Sequence, residues 1–403
     1  ETINSITNPA GTTVDAVAGN LTYTNGSLLG TLSGSGTVTH FNPADTALGQ
    51  FTSADALAFN GTMVLRGASV ATGPGALAGA GRYWLHSAGG SQLAGTAFAL
   101  DTGNSLTNGA DVVFGDWDGT SGNRRLTLSS LSGFGTLRMD AGADGVRNLI
   151  VDQAGNTTYS GMLLSHGNGA GILRSLAFEK KGAGTLTVEG TVGHQTAAAG
   201  ATNAVLTIQL TAGKLVLTGT ETYDGWTTIN SGAVLEVNGT GLLGNGNHVG
   251  MITNNGTLSI SNTASQTISA EITGTGVLNK VNTGVLTLSG TNTYTGLTTV
   301  SNGTLLVNGS LVGGVAVKSG ATLGGTGVIS GAVTASAGST VAPGASIGTL
   351  AVSNTLAVIG TVLMEINNTN TPSNCDKLIS SGSMTLNGAL VVTNIGPALQ
   401  VGD

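Results

Sequence analysis

Two aspartates in the segment FGDWDGTSGN are the first residues of this sequence that could do chemistry. Asp116 and Asp118 lie two positions apart, and Thr120 follows them. Oxygen ligands at alternating positions before a glycine can wrap Ca²⁺. No acidic residue closes this loop, so we favour a solvated turn over a calcium site. Asp140 and Asp144 in MDAGADG form a similar pair that is no stronger.

Histidines and glycine-rich loops give no other site. The five histidines share no HxH or HxxxH spacing, so a zinc site is not supported. They are His40, His86, His166, His194 and His248. No G-x-S-x-G nucleophile elbow occurs, and the glycine-rich segments open no helix that could hold a phosphate. The 20 acidic residues are mostly isolated in turns, which argues against a glycosidase pair. We therefore expect no catalytic, cofactor-binding or metal-binding residues and no cofactor.

One cysteine and three aromatic residues complete the candidates. Cys375, the single cysteine, stands beside Asp376 in a polar loop, so an internal disulfide framework is excluded and a passive thiol is favoured. Exposed aromatic rings can stack on sugars, and Tyr83, Trp84 and Trp226 are the candidates. Trp226 is replaced by leucine in an internal repeat, and this substitution favours packing over sugar recognition.

Composition limits the class of protein that must position these residues. Of 403 residues only 8% are charged, 67 are glycine and 6 are proline, and the net charge is -7. Globular chains average about 25% charged residues and about 7% glycine. The 13 basic residues form no stripe that could neutralise phosphates, so we expect no nucleic-acid partner. No apolar run reaches the roughly 18 residues of a membrane-spanning helix.

Short alternating segments predict β-strands throughout the chain. Segments such as TLTV, KLVLTG, VLEVNG, VLTLSG and VAVKSG alternate apolar and polar residues, whereas helical spacing is nearly absent. Asn-Gly and Ser-Gly steps lie between them and favour tight turns. These patterns leave a sandwich or barrel, a propeller or a β-solenoid.

An internal repeat favours the solenoid. GKLVLTGTETYDGWTTINSGAVLEVNGT, which begins at Gly213, resembles GVLTLSGTNTYTGLTTVSNGTLLVNGS, which begins at Gly284. The offset is 71 residues up to the second Thr-Thr pair and 70 at VNG, and Tyr159 provides a weaker third copy of the tyrosine position. A one-residue slip is easily absorbed in a solenoid turn but would flip a strand in a sandwich. We interpret the offset as about three coils of about 22 residues.

The repeated segments resemble the autotransporter-associated β-strand repeats, also called passenger-associated transport repeats. The core motif covers about residues 182–309, VAPGASIGTLAV and VLMEINN extend the likeness to the end, and residues 1–130 match only in style. The resemblance implies an all-β, right-handed parallel β-helix in a secreted or surface protein of a Gram-negative bacterium. It implies little about activity, because the glycines and threonines of the motif are scaffold.

The combined prediction is a non-enzymatic extracellular solenoid. We expect an N-terminal solenoid region at 1–130, a repeat-bearing core at 131–310 and C-terminal coils at 311–403. The chain opens at Glu1 without a leader, so an export signal would already have been removed. It closes on ALQVGD without a cap, so we expect head-to-tail self-association of a stalk, surface-layer or filament subunit. The alternatives are an adhesin that binds glycans and a β-helix polysaccharide lyase or hydrolase.

Overall fold

The computed structural model describes β-strands along the chain and side chains in its better-placed parts. Side chains are described for residues 36–38, 127–133, 148–165, 175–194, 205–367 and 375–398, and at single positions 135, 137, 146 and 369; the other strands are described by their backbone. The chain forms two compact units, residues 1–225 and 226–403. The predicted boundaries near residues 130 and 310 remain a prediction.

Unit 1 contains 24 described strands. They are β1 Thr2–Ile3, β2 Ile6–Asn8, β3 Thr13–Ala16, β4 Asn20–Tyr23, β5 Gly26–Leu28, β6 Thr31–Gly34, β7 Thr37–Asn42, β8 Gly49–Phe51, β9 Leu57–Phe59, β10 Thr62–Gly67, β11 Arg82–Leu85, β12 Ala97–Asp101, β13 Ala110–Phe114, β14 Arg124–Leu128, β15 Ser130–Gly133, β16 Gly135–Met139, β17 Gly145–Asp152, β18 Thr157–Tyr159, β19 Met162–His166, β20 Arg174–Lys181, β21 Thr185–Val188, β22 Val192–Gln195, β23 Leu206–Leu210 and β24 Lys214–Leu217.

Unit 2 contains a further 24 described strands and one 3₁₀ turn, Leu243–Gly246. The strands are β25 Thr227–Ile229, β26 Val234–Gly239, β27 Asn247–His248, β28 Ile252–Asn254, β29 Thr257–Asn262, β30 Gln266–Ile268, β31 Ile272–Thr273, β32 Val277–Lys280, β33 Val285–Leu288, β34 Thr291–Asn292, β35 Thr298–Val300, β36 Gly303–Val307, β37 Ser310–Leu311, β38 Val315–Val317, β39 Ala321–Gly325, β40 Val328–Ile329, β41 Val333–Ala335, β42 Thr340–Pro343, β43 Thr349–Val352, β44 Leu356–Val358, β45 Thr361–Ile366, β46 Lys377–Ser380, β47 Met384–Leu386 and β48 Ala389–Asn394.

Each strand of a unit pairs in parallel with a strand one coil away. In unit 1 the main series are β12-β15-β18-β21-β24, β13-β16-β19-β22 and β14-β17-β20-β23. In unit 2 they are β26-β29-β32-β35-β38-β41-β44-β47, β27-β30-β33-β36-β39-β42-β45-β48 and β34-β37-β40-β43-β46. The predicted all-β parallel β-helix is therefore confirmed. Among the described residues no helix is long and apolar enough to cross a membrane.

Inward side chains stack in columns because the register of parallel pairing is kept from coil to coil. Leu286, Leu305, Leu323 and Val341 follow one another on β33, β36, β39 and β42, and all four are fully buried. Outward positions between them are polar or small, so one face of every strand joins the core. Each buried side chain of this size contributes about 1.5 to 3 kcal/mol of burial free energy.

Coil length is not uniform, and the predicted value of about 22 residues per coil is wrong for unit 1. Paired residues lie 29 positions apart from Leu163 to Val192 and from Leu186 to Leu215. In unit 2 the spacing falls to 20 residues at Leu258 and Leu278. The strands themselves are alike in the two units, so the longer period of unit 1 comes from longer corners between them.

Candidate functional site

A row of serine, histidine and aspartate crosses three successive coils of unit 1. Oγ of Ser165 lies 2.8 Å from Nδ1 of His194, and Nε2 of the same ring lies 2.8 Å from Oδ1 of Asp224. The row is set by the strands, because Ser165 on β19 and His194 on β22 are paired in the parallel register. Thr222 reinforces it, since its Oγ1 accepts a hydrogen bond from the backbone N–H of His194 at 3.2 Å.

This row has the members of a nucleophile, base and orienting carboxylate, but its geometry does not fit hydrolysis. A catalytic serine must reach a substrate carbonyl while its hydroxyl contacts the histidine. Ser165 is fully buried, and its hydroxyl also lies 3.5 Å from the backbone oxygen of Gly193. The side chains of His194 and Asp224 remain partly exposed. The row can pass a proton along its hydrogen bonds, but its main effect is to bind three coils together.

Glu221 lies on the same corner and is the most unusual ionisable group among the described residues. It is fully buried, Oε2 accepts a hydrogen bond from the N–H of Val192, and Oε1 has no partner among the described atoms. Burial raises the pKa of Glu221 to about 8, although the Val192 hydrogen bond opposes the shift. Glu221 is therefore neutral at pH 7 and can act as a hydrogen-bond donor.

Two buried lysines hold corner carbonyl groups. Nζ of Lys180 donates to the backbone oxygens of Lys181 and Gly182, and Nζ of Lys280 donates to those of Asn282 and Asn302. Both lysines have no exposed surface. Burial lowers both pKa values, that of Lys280 to about 8. Their ammonium groups are saturated by the backbone, so neither is presented to a substrate.

Three tyrosines mark the repeat, and all three are fully buried. They are Tyr159, Tyr223 and Tyr294. The hydroxyl of Tyr159 donates to the backbone oxygen of Gly135 at 3.0 Å, and that of Tyr294 lies 2.6 Å from Oγ1 of Thr298. Burial raises the pKa of Tyr294 above its usual value. Because their hydroxyl groups are used inside the protein, these tyrosines stabilise coils and offer no ligand a contact.

The interpretation of Trp226 as a packing residue is wrong. Its side chain is 65% exposed, and Leu297 at the equivalent position of the second copy is 48% exposed. A substitution of leucine for tryptophan is tolerated at this position because neither side chain enters the core. Trp226 precedes β25 and stacks over the coil of Met251, whose carbonyl accepts the N–H of Thr227 at 3.0 Å. Trp226 is thus the exposed aromatic ring that the described residues offer to a partner.

The remaining candidates from the sequence are scattered or lie outside the described residues. His248 is buried in unit 2, far along the chain from the His194 row. Cys375 is exposed, and both carboxylate oxygens of the buried neighbour Asp376 accept backbone N–H groups, from Gly348 at 2.8 Å and from Glu365 at 2.7 Å.

Residues outside the described part include the proposed calcium loop and two of its alternatives. Asp116, Asp118, Thr120, Asp140 and Asp144 fall there. The same holds for the side chains of five further candidates: His40, His86, His166, Tyr83 and Trp84. Within the described part of the chain, no group of three histidine, cysteine or acidic residues is placed to hold a metal ion.

Sequence reasoning missed the Ser165–His194–Asp224 row because its members are 29 and 30 residues apart. The signal was present in the period of unit 1, where residues one coil apart become neighbours. A search at the assumed spacing of about 22 residues could not align them. The buried lysines were missed for another reason, namely that lysine is almost never fully buried unless it is paired.

The comparison with known families agrees with this architecture. The sequence model of the passenger-associated-transport-repeat family matches residues 212–237 and 278–307. These ranges contain the two repeated segments, including Tyr223 in the first copy's surroundings and Tyr294 in the second. No curated protein is significantly similar to the chain.

Proposed function

The chain carries passenger-associated transport repeats, and on this premise we propose that it is a non-enzymatic structural part of an extracellular passenger. Repeats of this family are typical of autotransporter passengers, which are surface or secreted proteins. In this proposal the solenoid serves as a stalk, surface-layer or filament subunit. Its stability comes from stacked apolar columns and parallel backbone pairing.

The observation that supports a structural role is the fate of the reactive side chains. Ser165, Lys180, Glu221, Lys280 and Asp376 are all buried, and each is bound to backbone groups or to a neighbouring coil. Buried polar groups need such partners to offset the cost of leaving water. The groups that an enzyme would present in a cleft are here used to hold corners and coils together.

Assembly through a terminal coil is the finer part of the proposal. Seven large apolar side chains are exposed on or beside β46, β47 and β48: Ile379, Met384, Leu386, Leu390, Val391, Val392 and Ile395. Leu390 is paired with the nearly buried Val362 of β45, so it continues an inward column. An apolar coil with free backbone groups is a template for another parallel strand. We propose that a second copy of this chain provides that strand.

Electron microscopy across a concentration series tests this proposal. Wild-type protein should form fibres whose length grows with concentration, and L390K should form none because a charge interrupts the stacked column. T385K places the same charge on an exposed polar position of the same coil and should still assemble. Isolated particles at every concentration would refute assembly through this coil while leaving the solenoid scaffold intact.

The second candidate function is an adhesin, and the exposed Trp226 favours it over an enzyme. An aromatic ring on the surface can contribute binding free energy through its apolar face. A glycan array with wild-type protein and W226L tests this function, because leucine is the residue of the second copy. Binding by wild-type protein that W226L loses would support the adhesin. No binding by either protein would remove it.

A further inference from the structure

Two Asn-Gly steps in unit 2 fold the asparagine side chain onto the following backbone N–H. The N–H of Gly303 donates to Oδ1 of Asn302 at 2.7 Å, and the N–H of Gly239 donates to Oδ1 of Asn238 at the same distance. Both glycines adopt positive φ, 68° and 62° respectively. Asn302 and Gly239 are exposed, so water reaches both steps.

We propose that Asn302 and Asn238 are sites of spontaneous succinimide formation that convert them to aspartate and isoaspartate. The close N–H to Oδ1 contact keeps the glycine nitrogen beside the side-chain carbonyl carbon that it must attack. Holding reacting atoms near contact distance accelerates a reaction that would otherwise wait for a rare conformation. Glycine adds no side chain that could obstruct the attack.

The reaction at Asn302 needs only this chain and water. The backbone nitrogen of Gly303 forms a bond to Cγ of Asn302, the Cγ–Nδ2 bond breaks, and ammonia leaves with the proton that the nitrogen gave up. Water then adds to one of the two succinimide carbonyls. Opening at one carbonyl gives an aspartate, and opening at the other gives a β-linked isoaspartate. No oxidation or reduction takes place.

Two other Asn-Gly steps of unit 2 show how the fold prevents this chemistry. Oδ1 of Asn308 accepts the N–H of Thr326 at 3.2 Å, and the N–H of Gly309 donates to the carbonyl of Leu288 at 3.1 Å. Oδ1 of Asn255 is similarly held by the N–H of Thr275 at 3.2 Å. In these steps the side chain points along the stack, and the nucleophilic nitrogen or its target is already bound.

The two repeat copies therefore exchange their labile positions. Asn302–Gly303 in the second copy corresponds to Ser231–Gly232 in the first, and Gly232 also has positive φ, 80°. Asn238–Gly239 in the first copy corresponds to the protected Asn308–Gly309. Serine thus satisfies the same turn without a reactive amide, and it provides a natural control.

Modification at Asn302 changes a corner that the core depends on. The carbonyl of Asn302 lies 3.5 Å from the buried Nζ of Lys280. An isoaspartate inserts one methylene into the backbone at this position and displaces that carbonyl. Either product also adds a negative charge to a chain whose net charge is already -7.

Mass spectrometry of the folded protein during incubation at mildly alkaline pH tests the proposal. Asn302 and Asn308 lie in the same tryptic peptide, between Lys280 and Lys318, so fragment ions compare them within one molecule. We expect Asn302 to gain the mass of deamidation at least about fivefold faster than Asn308, because attack at Gly309 must first break its ladder hydrogen bond. Enzymatic methylation specific for isoaspartate should label the same peptide.

N302S and full denaturation provide the controls. N302S should remove the fast phase from this peptide and retain the native far-ultraviolet circular dichroism spectrum. In denaturant the two asparagines should react at comparable rates, which would assign the difference to the fold. Equal rates at Asn302 and Asn308 in folded wild-type protein, or no reaction at Asn302, would overturn the proposal.

Discussion

The two copies of the repeat build the same corner with one different side chain. Glu221 of the first copy corresponds to Asn292 of the second, and both accept the backbone N–H of the preceding coil, from Val192 and from Ile272. Nδ2 of Asn292 also donates to the carbonyls of Gly290 at 2.9 Å and Ser310 at 3.0 Å. The other oxygen of Glu221 has no partner among the described atoms.

This difference shows that the position requires both an acceptor and a donor. An amide provides both at any pH, whereas a carboxyl group provides a donor only when it is protonated. Burial therefore favours the protonated form of Glu221, in agreement with its raised pKa of about 8. The second copy is a corner that is independent of pH, and the first is the same corner with a titratable side chain.

The glycine two residues after the repeat tyrosine should show the largest effect, and an equal one in both copies. A Cβ on Gly296 would lie 1.9 Å from the carbonyl oxygen of Gly276, and one on Gly225 would lie 2.0 Å from that of Leu206. Since both obstacles are backbone atoms of the coil below, G296A and G225A should each lower the free energy of unfolding by about 4 kcal/mol. Chemical denaturation followed by circular dichroism measures this loss.

Gly155 provides the control for this prediction. A Cβ there would meet nothing within 4 Å, and the residue is exposed. G155A should therefore change the free energy of unfolding by no more than about 0.5 kcal/mol. A loss at G296A as small as that at G155A would show that the coils can separate to accept a side chain at the corner.

The pH dependence of stability should separate the two copies. The pKa of Glu221 rises on folding from 4.5 to about 8, so its contribution is fully present below pH 4.5 and is lost as pH rises to about 8. Over this window the wild-type protein should lose about 2 kcal/mol relative to E221Q, because glutamine keeps a donor at every pH. Urea unfolding at a series of pH values measures the difference.

The reciprocal variant N292D transfers the titratable group to the second copy. It should approach the stability of wild-type protein at low pH and become progressively less stable as the new carboxyl group ionises. Parallel pH profiles for wild-type protein and E221Q would contradict the account of Glu221. A flat difference between N292D and wild-type protein would show that Asn292 is not required as a donor.

Removal of a single hydroxyl should give a smaller effect. Tyr294 and Thr298 share a buried hydrogen bond of 2.6 Å within the second copy. Y294F leaves the threonine hydroxyl without this partner, and we expect a loss of about 1 kcal/mol in the free energy of unfolding. In a double-mutant cycle with T298V, the loss from Y294F should largely disappear. Full additivity of the two changes would exclude a coupled pair.

The fold could be predicted from the sequence because its rules are local, whereas the site depends on coil length. Alternating strands such as β33 and the Asn-Gly turns are encoded within a few residues, and the repeat shows that they stack. The neighbours Ser165 and His194 are determined by a 29-residue coil, whose length arises in corners that have no fixed pattern. Substitution of Trp226 by leucine reported only that both side chains are tolerated, not that both are exposed.

The exposed position that follows each repeat glycine should have the smallest effect on stability and the clearest effect on recognition. Trp226 is 65% exposed, so W226L should change the free energy of unfolding by no more than about 0.5 kcal/mol. L297W makes the reciprocal change and should be equally neutral, because Leu297 is also exposed. Thermal unfolding of both variants checks this expectation. If W226L abolishes binding to a surface glycan and L297W increases it, the first copy's aromatic ring has become a recognition element on a structural repeat; a marked loss of stability in either variant would instead return this position to the core.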